Sequence, residues 1–91
     1  MSDYQKLLHI LEETKKRLEI SEDSAFAHKT TSELIKIIDS NINDIHRKST
    51  CDIKELELLY GPTASLQEIS IDNGWGWEFI GLSSQFDQAI K

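Results

Sequence analysis

Residues 30–45, with the sequence TTSELIKIIDSNINDI, decide the fold of this 91-residue chain. Thr30 and Glu33 have the spacing of a capping box, in which two side chains satisfy the first exposed amides of a helix. The apolar residues that follow recur at intervals of three and four: Leu34, Ile35, Ile37, Ile38, Ile42 and Ile45. This period predicts an amphipathic helix with one buried face. Isoleucine is a mediocre helix former, so the helix must depend on packing against its neighbours.

The segments on both sides repeat the helical pattern. Before it, apolar residues at helical spacing predict a first helix over about residues 3–20. After it, the pattern predicts a short helix over residues 51–60, which ends at Gly61 and Pro62 because glycine and proline together form a stop signal. A last helix is predicted from residue 77 to about residue 89.

Two positions are expected to contact the core closely. Residues 21–29 form a connector, and we expect a short helical turn there that tucks Phe26 into the core. Gly81 lies inside the last predicted helix, where glycine costs about 1 kcal/mol relative to alanine. A closely packed neighbour is therefore expected at Gly81.

Residues 62–76 allow two interpretations. Ser65 and Glu68 have the spacing of a second capping box, which favours a helical turn. Ile69 and Ile71 alternate with polar residues, which is typical of a short extended piece. The helical interpretation is favoured, and residues 72–74 (Asp-Asn-Gly) then predict a turn.

These patterns predict an all-α fold: a single domain over residues 1–91, with four to five helices and an ordered loop containing proline and glycine before the last helix. No run approaches the roughly 20 apolar residues of a membrane helix, and the first residues lack a secretory signal pattern. The single cysteine, Cys51, cannot form an internal disulfide. We therefore expect a cytoplasmic protein without a membrane partner.

The charge is distributed unevenly along the chain. Residues 1–50 hold nine acidic and eight basic side chains, whereas residues 51–91 hold seven acidic side chains against Lys54 and Lys91. No basic side chain lies between those two lysines. Such a region repels phosphate backbones, so no nucleic-acid partner is expected. It would attract a protein with a basic surface, although a modest negative charge also simply keeps a small protein soluble.

No catalytic motif or cofactor-binding motif is present. The three histidines lack the spacing of a metal site, so neither a metal nor another cofactor is expected. Cys51 falls in the first turn of a predicted helix, where the dipole would favour a thiolate, but it lacks an evident base. Glu68 and Asp72 are four residues apart, yet acid–base catalysis also needs a pocket that raises one pKa. We therefore expect a protein that is not an enzyme.

Trp75 lies between Gly74 and Gly76, Trp77 follows Gly76, and the two tryptophans allow two roles. As core residues they would hold the preceding segment against the bundle. As exposed residues they would anchor a partner, because tryptophan carries a large contact area, with Glu68, Asp72 and Glu78 as a charged rim. One ring would also be able to serve the core while the other serves the partner.

Residues 58–76, LLYGPTASLQEISIDNGWG, resemble a block found in small uncharacterised bacterial proteins. In size, acidity and lack of a catalytic motif, the chain is similar to immunity proteins of bacterial polymorphic or contact-dependent toxin systems. The resemblance implies a cytoplasmic inhibitor that binds a toxin domain, often a basic nuclease, and blocks its active site.

The leading hypothesis is therefore a protein-binding module of the immunity type, with the partner-binding residues Glu68, Asp72, Trp75, Trp77 and Glu78. A second hypothesis is a structural or regulatory subunit that forms homo-oligomers through its isoleucine-rich helix, using Ile35, Ile38, Ile42 and Ile45. A third is a small enzyme that uses Glu68, Asp72 or Cys51.

Overall fold

A computed structural model describes residues 3–61 and 64–91 of the chain. In these residues it contains no strand and five helices: α1 (Tyr4–Glu19), α2 (Thr31–Lys48), α3 (Ile53–Leu59), α4 (Ser65–Asp72) and α5 (Gly76–Ala89). The predicted all-α fold is confirmed. The extended alternative for Ile69 and Ile71 is wrong, and most of the loop expected before the last helix is helix α4. The predicted stop at Pro62 falls outside the described residues.

Capping side chains set the start of three helices. The Asp3 carboxylate accepts the Lys6 amide at the start of α1, and both hydrogen bonds of the predicted Thr30–Glu33 capping box are present at the start of α2. Asp52 caps α3, so this helix begins two residues later than predicted. As a result, Cys51 lies before the helix instead of in its first turn.

The second predicted capping box does not form. Helix α4 has Ala64 as its N-cap, without a side-chain hydrogen bond. The Ser65 hydroxyl oxygen instead accepts the amides of His28 and Lys29, each at 3.1 Å. Ser65 thus holds the connector between α1 and α2, and Glu68 is left without a capping role.

Helix α1 packs against both α2 and α5. It runs antiparallel to α5, because hydrogen bonds join the two helices at both ends: from the Asp3 amide to the Ala89 carbonyl oxygen at 2.6 Å, and from Trp75 to Ser21 at 2.9 Å. One apolar core receives side chains from all five helices, with these among the most deeply buried: Leu7, Ile10, Leu11, Leu18, Leu34, Ile38, Leu56, Leu66, Ile69 and Phe86.

Tyr60 connects α3 to α1 and α5 inside this core. Its ring stacks on Phe79 and Phe86, with centroid distances of 6.3 and 4.9 Å. Its hydroxyl lies 2.5 Å from that of Thr14, whose single proton goes to the Ile10 carbonyl oxygen, so Tyr60 is the donor to Thr14. The buried polar groups are therefore paired and do not weaken the core.

The expectation for Phe26 is wrong, since its side chain is 76% exposed. Polar contacts hold the connector in place of an apolar anchor. Ser24 donates to the Asp72 carboxylate, and the Asn73 amide group both accepts from the Glu22 backbone and donates to it. These bonds hold the connector at the C-terminal end of α4, and the bonds to Ser65 hold it at the N-terminal end. The connector therefore does not need Phe26 in the core.

The expectation for Gly81 is also wrong. Apart from its two neighbours and the helix's own backbone, no atom lies within 4 Å of the position that a Cβ would occupy there. The residue is on the exposed side of α5, so close packing does not explain the glycine. Within the described residues, no helix is both long enough and apolar enough to cross a membrane.

Candidate functional site

Exposed apolar side chains meet where α4 turns into α5. Trp77 is 85% exposed, and Ile71 and Ile80 are 55% and 57% exposed. They border a groove of about 340 Å³, called here the Trp77 groove, which is lined by Gln67, Ile71, Gly74, Gly76, Trp77, Phe79 and Ile80. Isolated exposed apolar residues are common, but a group around a concavity is typical of an interaction site.

Two glycines give the groove its shape. Gly74 has a φ of 80°, a left-handed conformation that lets the chain reverse after α4. At Gly76, an added Cβ would lie 3.3 Å from Cγ1 of Ile71, so glycine permits α5 to start close to α4. The groove therefore depends on this tight connection.

The two tryptophans have different environments. Trp75 is 3% exposed and belongs to the core, and its indole nitrogen donates to the hydroxyl oxygen of Ser21. Trp77, two residues later, is at the surface. Trp75 is therefore removed from the predicted partner-binding residues, because its ring is already packed and hydrogen-bonded within the chain.

Two of the predicted rim acids do not frame Trp77. Asp72 is exposed, but its carboxylate accepts the Ser24 hydroxyl and so holds the connector. Glu78 lines a different groove, between α1 and α5, which it shares with His9, Glu13 and Arg17 among others. Neither of these two residues lines the Trp77 groove.

Glu68, the third predicted acid, does not line the groove either. It is half-buried, and helix geometry places it about 60° around the α4 axis from Ile71 but only about 40° from Asp72, on the side that holds the connector. The ion pairs found among the described residues all lie between residues 13 and 48, so Glu68 has no ion-pair partner among the described residues.

The residues considered for catalysis are Cys51, Glu68 and Asp72. Burial raises the pKa of the half-buried Cys51 thiol, and the charges of Asp44 and Asp52 raise it further, which is the opposite of nucleophile activation. Glu68 and Asp72 lie one turn apart on α4, and the Asp72 carboxylate is engaged by the hydroxyl of Ser24. Within residues 3–61 and 64–91, no three His, Cys, Asp or Glu side chains form a group able to hold a metal ion.

Ile71 and Ile80 belong to the surface but were not among the predicted site residues. The sequence could have identified Ile80, because it follows Trp77 by three residues in a predicted helix and so lies on the same helix face. Ile71 lies on the side of α4 away from the buried Leu66 and Ile69. Only the helical interpretation of residues 65–72 identifies Ile71 as a surface residue.

Comparisons with known proteins give no further guidance. No protein-family model matches the chain, and no curated protein or solved structure gives a significant match. Function is therefore inferred from the surface itself.

Proposed function

We propose that this chain is a protein-binding module without enzymatic activity, in its most concrete form an immunity-type inhibitor of a basic toxin or effector domain. The supporting observation is the exposed Trp77 ring above an apolar groove. Tryptophan is enriched among the residues that contribute most to protein interfaces, and those residues cluster around pockets. A residue of this kind, left uncovered by its own chain, fits a docking surface.

The charge of the region favours a partner with a basic surface. No basic side chain occurs from residue 55 to residue 90, and Glu68 on α4 has no ion-pair partner among the described residues. A positively charged partner would gain from this field during association. A second copy of the chain would instead bring two base-free regions together, since a two-fold contact uses the same patch twice.

The alternative based on the isoleucine-rich helix has little support. Ile38 and Ile45 are buried within the single chain, and Ile35 and Ile42 are partly buried against the same core. The four side chains therefore cannot form one exposed face for self-association.

The experiment uses the full chain as bait in an extract of its native host, followed by affinity measurements with the purified partner. We expect Trp77→Ala to weaken binding at least about tenfold, since interface tryptophans often contribute more than 1.4 kcal/mol. Phe26→Ala is the matched control, because Phe26 is a similarly exposed aromatic residue outside the groove. It should leave the affinity unchanged.

Ionic strength tests the charge argument. Affinity for the partner should fall clearly as salt rises from about 50 to 500 mM, because screening shortens the range of surface charges. Equal affinity of wild type and Trp77→Ala, or binding that is insensitive to salt, contradicts the proposal. Light scattering at high protein concentration checks the remaining alternative, because a dimer that Trp77→Ala dissociates would identify a second copy as the occupant.

A further inference from the structure

We propose that the exposed side of α5 receives a basic amphipathic helix of the partner, an inference that rests on the proposed function. Four exposed residues, Trp77, Gly81, Ser84 and Gln88, form what is called here the α5 stripe. Their intervals of four, three and four residues place them within about 60° of one another around the helix axis. This is the spacing that one helix offers to another along a packed seam.

The α5 stripe lies away from the face that α5 uses in its own fold. The buried residues of α5 are centred about 150° from it around the axis, so the described part of the chain leaves the stripe open. A groove lies on each side: the Trp77 groove, and the groove between α1 and α5 that Gly81 and Glu78 help to line. A helix that lies on the stripe therefore has a recess on either side for its own side chains.

Gly81 lies in the middle of the stripe and has no role in the packing of its own chain. Glycine is unfavourable inside a helix, yet apart from its two neighbours and the helix's own backbone nothing lies within 4 Å of the position of a Cβ. A positive φ does not require it either, since among the described glycines only Gly74 has one. Glycine lets another backbone come close, and the small Ser84 extends this flat area by one turn. A partner helix that crosses α5 at this point gives the glycine a role.

The charges beside the stripe favour a basic helix. Glu78 and Asp87 are both exposed, and they lie on opposite sides of the stripe, each about 90° from its centre. The ion pairs among the described residues lie between residues 13 and 48, so neither carboxylate has an ion-pair partner in the described part of the chain. In paired helices, charges that flank the seam are matched by opposite charges on the partner. Across the groove, Glu13 and Arg17 of α1 have opposite charges and leave this preference unchanged.

A second copy of the chain fits this surface less well. Its α5 carries the same two acids, Glu78 and Asp87, so a two-fold pairing of the stripes would bring acidic flanks to acidic flanks. A helix with apolar residues on its contact face and lysine or arginine on both flanks matches the stripe in spacing and in charge. Trp77, which is 85% exposed, then packs against the apolar face of that helix.

The test uses a peptide of about 18 residues, longer than the stripe, that a hydrocarbon staple on its outer face holds helical. It carries leucine at the contact positions of its heptads and lysine on both flanks, and a control peptide carries glutamate on the flanks. The full chain, labelled with ¹⁵N, reports binding through the amide N–H of Gly81 and the indole N–H of Trp77. The indole N–H of Trp75 is an internal reference, because it is buried and bonded to Ser21.

We expect the lysine-flanked peptide to shift both signals and the glutamate-flanked peptide to bind at least about tenfold more weakly. Gly81→Gln should weaken binding of the lysine-flanked peptide at least about tenfold, because a side chain then fills the space over the stripe. Ser40→Gln adds the same side chain to the exposed side of α2 and should leave binding unchanged. Gly81→Gln should also resist urea at least as well as wild type, since glutamine favours a helix, so its weaker binding does not come from a weaker fold.

The charge argument has its own pair of variants. Glu78→Gln should weaken binding of the lysine-flanked peptide at least about threefold, because it removes one flanking charge. Glu57→Gln removes the same charge from the exposed side of α3 and should leave binding unchanged. Equal losses in the two variants would show that only the net charge of the chain matters, which contradicts the inference.

Equal affinity for the two peptides, or no response of Gly81 and Trp77 to either of them, overturns the inference. Sedimentation of the free chain tests the other occupant: a dimer that Gly81→Gln dissociates would place a second copy on the stripe and overturn the inference as well. The purified partner separates this inference from the proposed function. If Gly81→Gln binds it as tightly as wild type while Trp77→Ala does not, the inference fails and the proposed function stands; an unchanged affinity of Trp77→Ala shows failure of the proposed function.

Discussion

The indole nitrogen of Trp75 donates a hydrogen bond to the hydroxyl oxygen of Ser21 across 2.9 Å. Ser21 follows the end of α1, and Trp75 is the N-cap residue of α5. The bond therefore fixes the first turn of α5 against the end of α1. Trp77 lies in that turn, so the position of the exposed ring is set by the burial of its neighbour.

Substitutions of the two tryptophans should separate stability from surface function. Trp75→Phe removes the hydrogen bond to Ser21 and part of a buried ring, so we expect it to lower the free energy of unfolding by about 2 kcal/mol. Trp77→Ala removes an exposed ring and should change it by less than about 0.5 kcal/mol. Urea unfolding followed by circular dichroism measures both. Similar losses in the two variants would show that Trp77 also supports the fold.

Ser24→Ala should loosen the connector. The Ser24 hydroxyl donates to Asp72 and accepts the Phe26 amide, and a hydrogen bond to a charged group contributes more than a neutral one. We expect a loss of about 1–2 kcal/mol in unfolding free energy and faster hydrogen exchange at the Phe26 amide. The matched control is Ser84→Ala, on the exposed side of α5. It should change the unfolding free energy by less than about 0.5 kcal/mol.

The helices were predictable because their signals are local. The Thr30–Glu33 capping box and the period of the isoleucines after it are both read directly from the sequence, and α2 begins where they indicate. Ser65 shows the limit of such reasoning. Its spacing to Glu68 also fits a capping box, but its hydroxyl is taken by the amides of His28 and Lys29, more than 30 residues away. The residues around Ser65 in the sequence do not indicate that distant amides compete for its hydroxyl.

The candidate site was predictable only in part. The segment without basic side chains and the two tryptophans next to glycines correctly indicated the part of the chain that contains the candidate site. The pattern did not decide which ring is buried, because Trp75 is held by the distant Ser21. The roles of Asp72 and Glu78 likewise depend on contacts with the connector and with α1, so three acids with similar expectations have three different environments.

Alanine substitutions at Gly81 and at Gly74 should have opposite effects on the stability of the fold. At Gly81, inside α5, a Cβ meets no atom within 4 Å, so Gly81→Ala should stabilise the fold by about 0.5–1 kcal/mol. At Gly74, the φ of 80° is strained for alanine, so Gly74→Ala should destabilise it by about 1–2 kcal/mol. Thermal unfolding by calorimetry measures both changes. A stabilising effect at Gly74 would contradict the left-handed turn between α4 and α5.

Tyr60 should give the chain a specific sensitivity to alkaline pH. Burial raises the pKa of the Tyr60 hydroxyl well above its ordinary value, and the hydrogen bond with Thr14 offsets this only in part. In the unfolded chain, tyrosine ionises near pH 10. Above that pH the unfolded state loses a proton that the folded state retains, so the free energy of unfolding falls by up to about 1.4 kcal/mol per pH unit.

Tyr60→Phe isolates this effect, because it keeps the ring and removes the ionising group. Below pH 10 the variant should be less stable than wild type by about 1 kcal/mol, the contribution of the lost hydrogen bond to Thr14. Above pH 10 only the wild type has this tyrosine to ionise on unfolding, so the difference between the two should shrink and then change sign. Urea unfolding at pH values from 7 to 11 measures the difference directly, and other titrating groups cancel in it. A difference that stays constant across this range would show that the Tyr60 hydroxyl reaches water in the folded state.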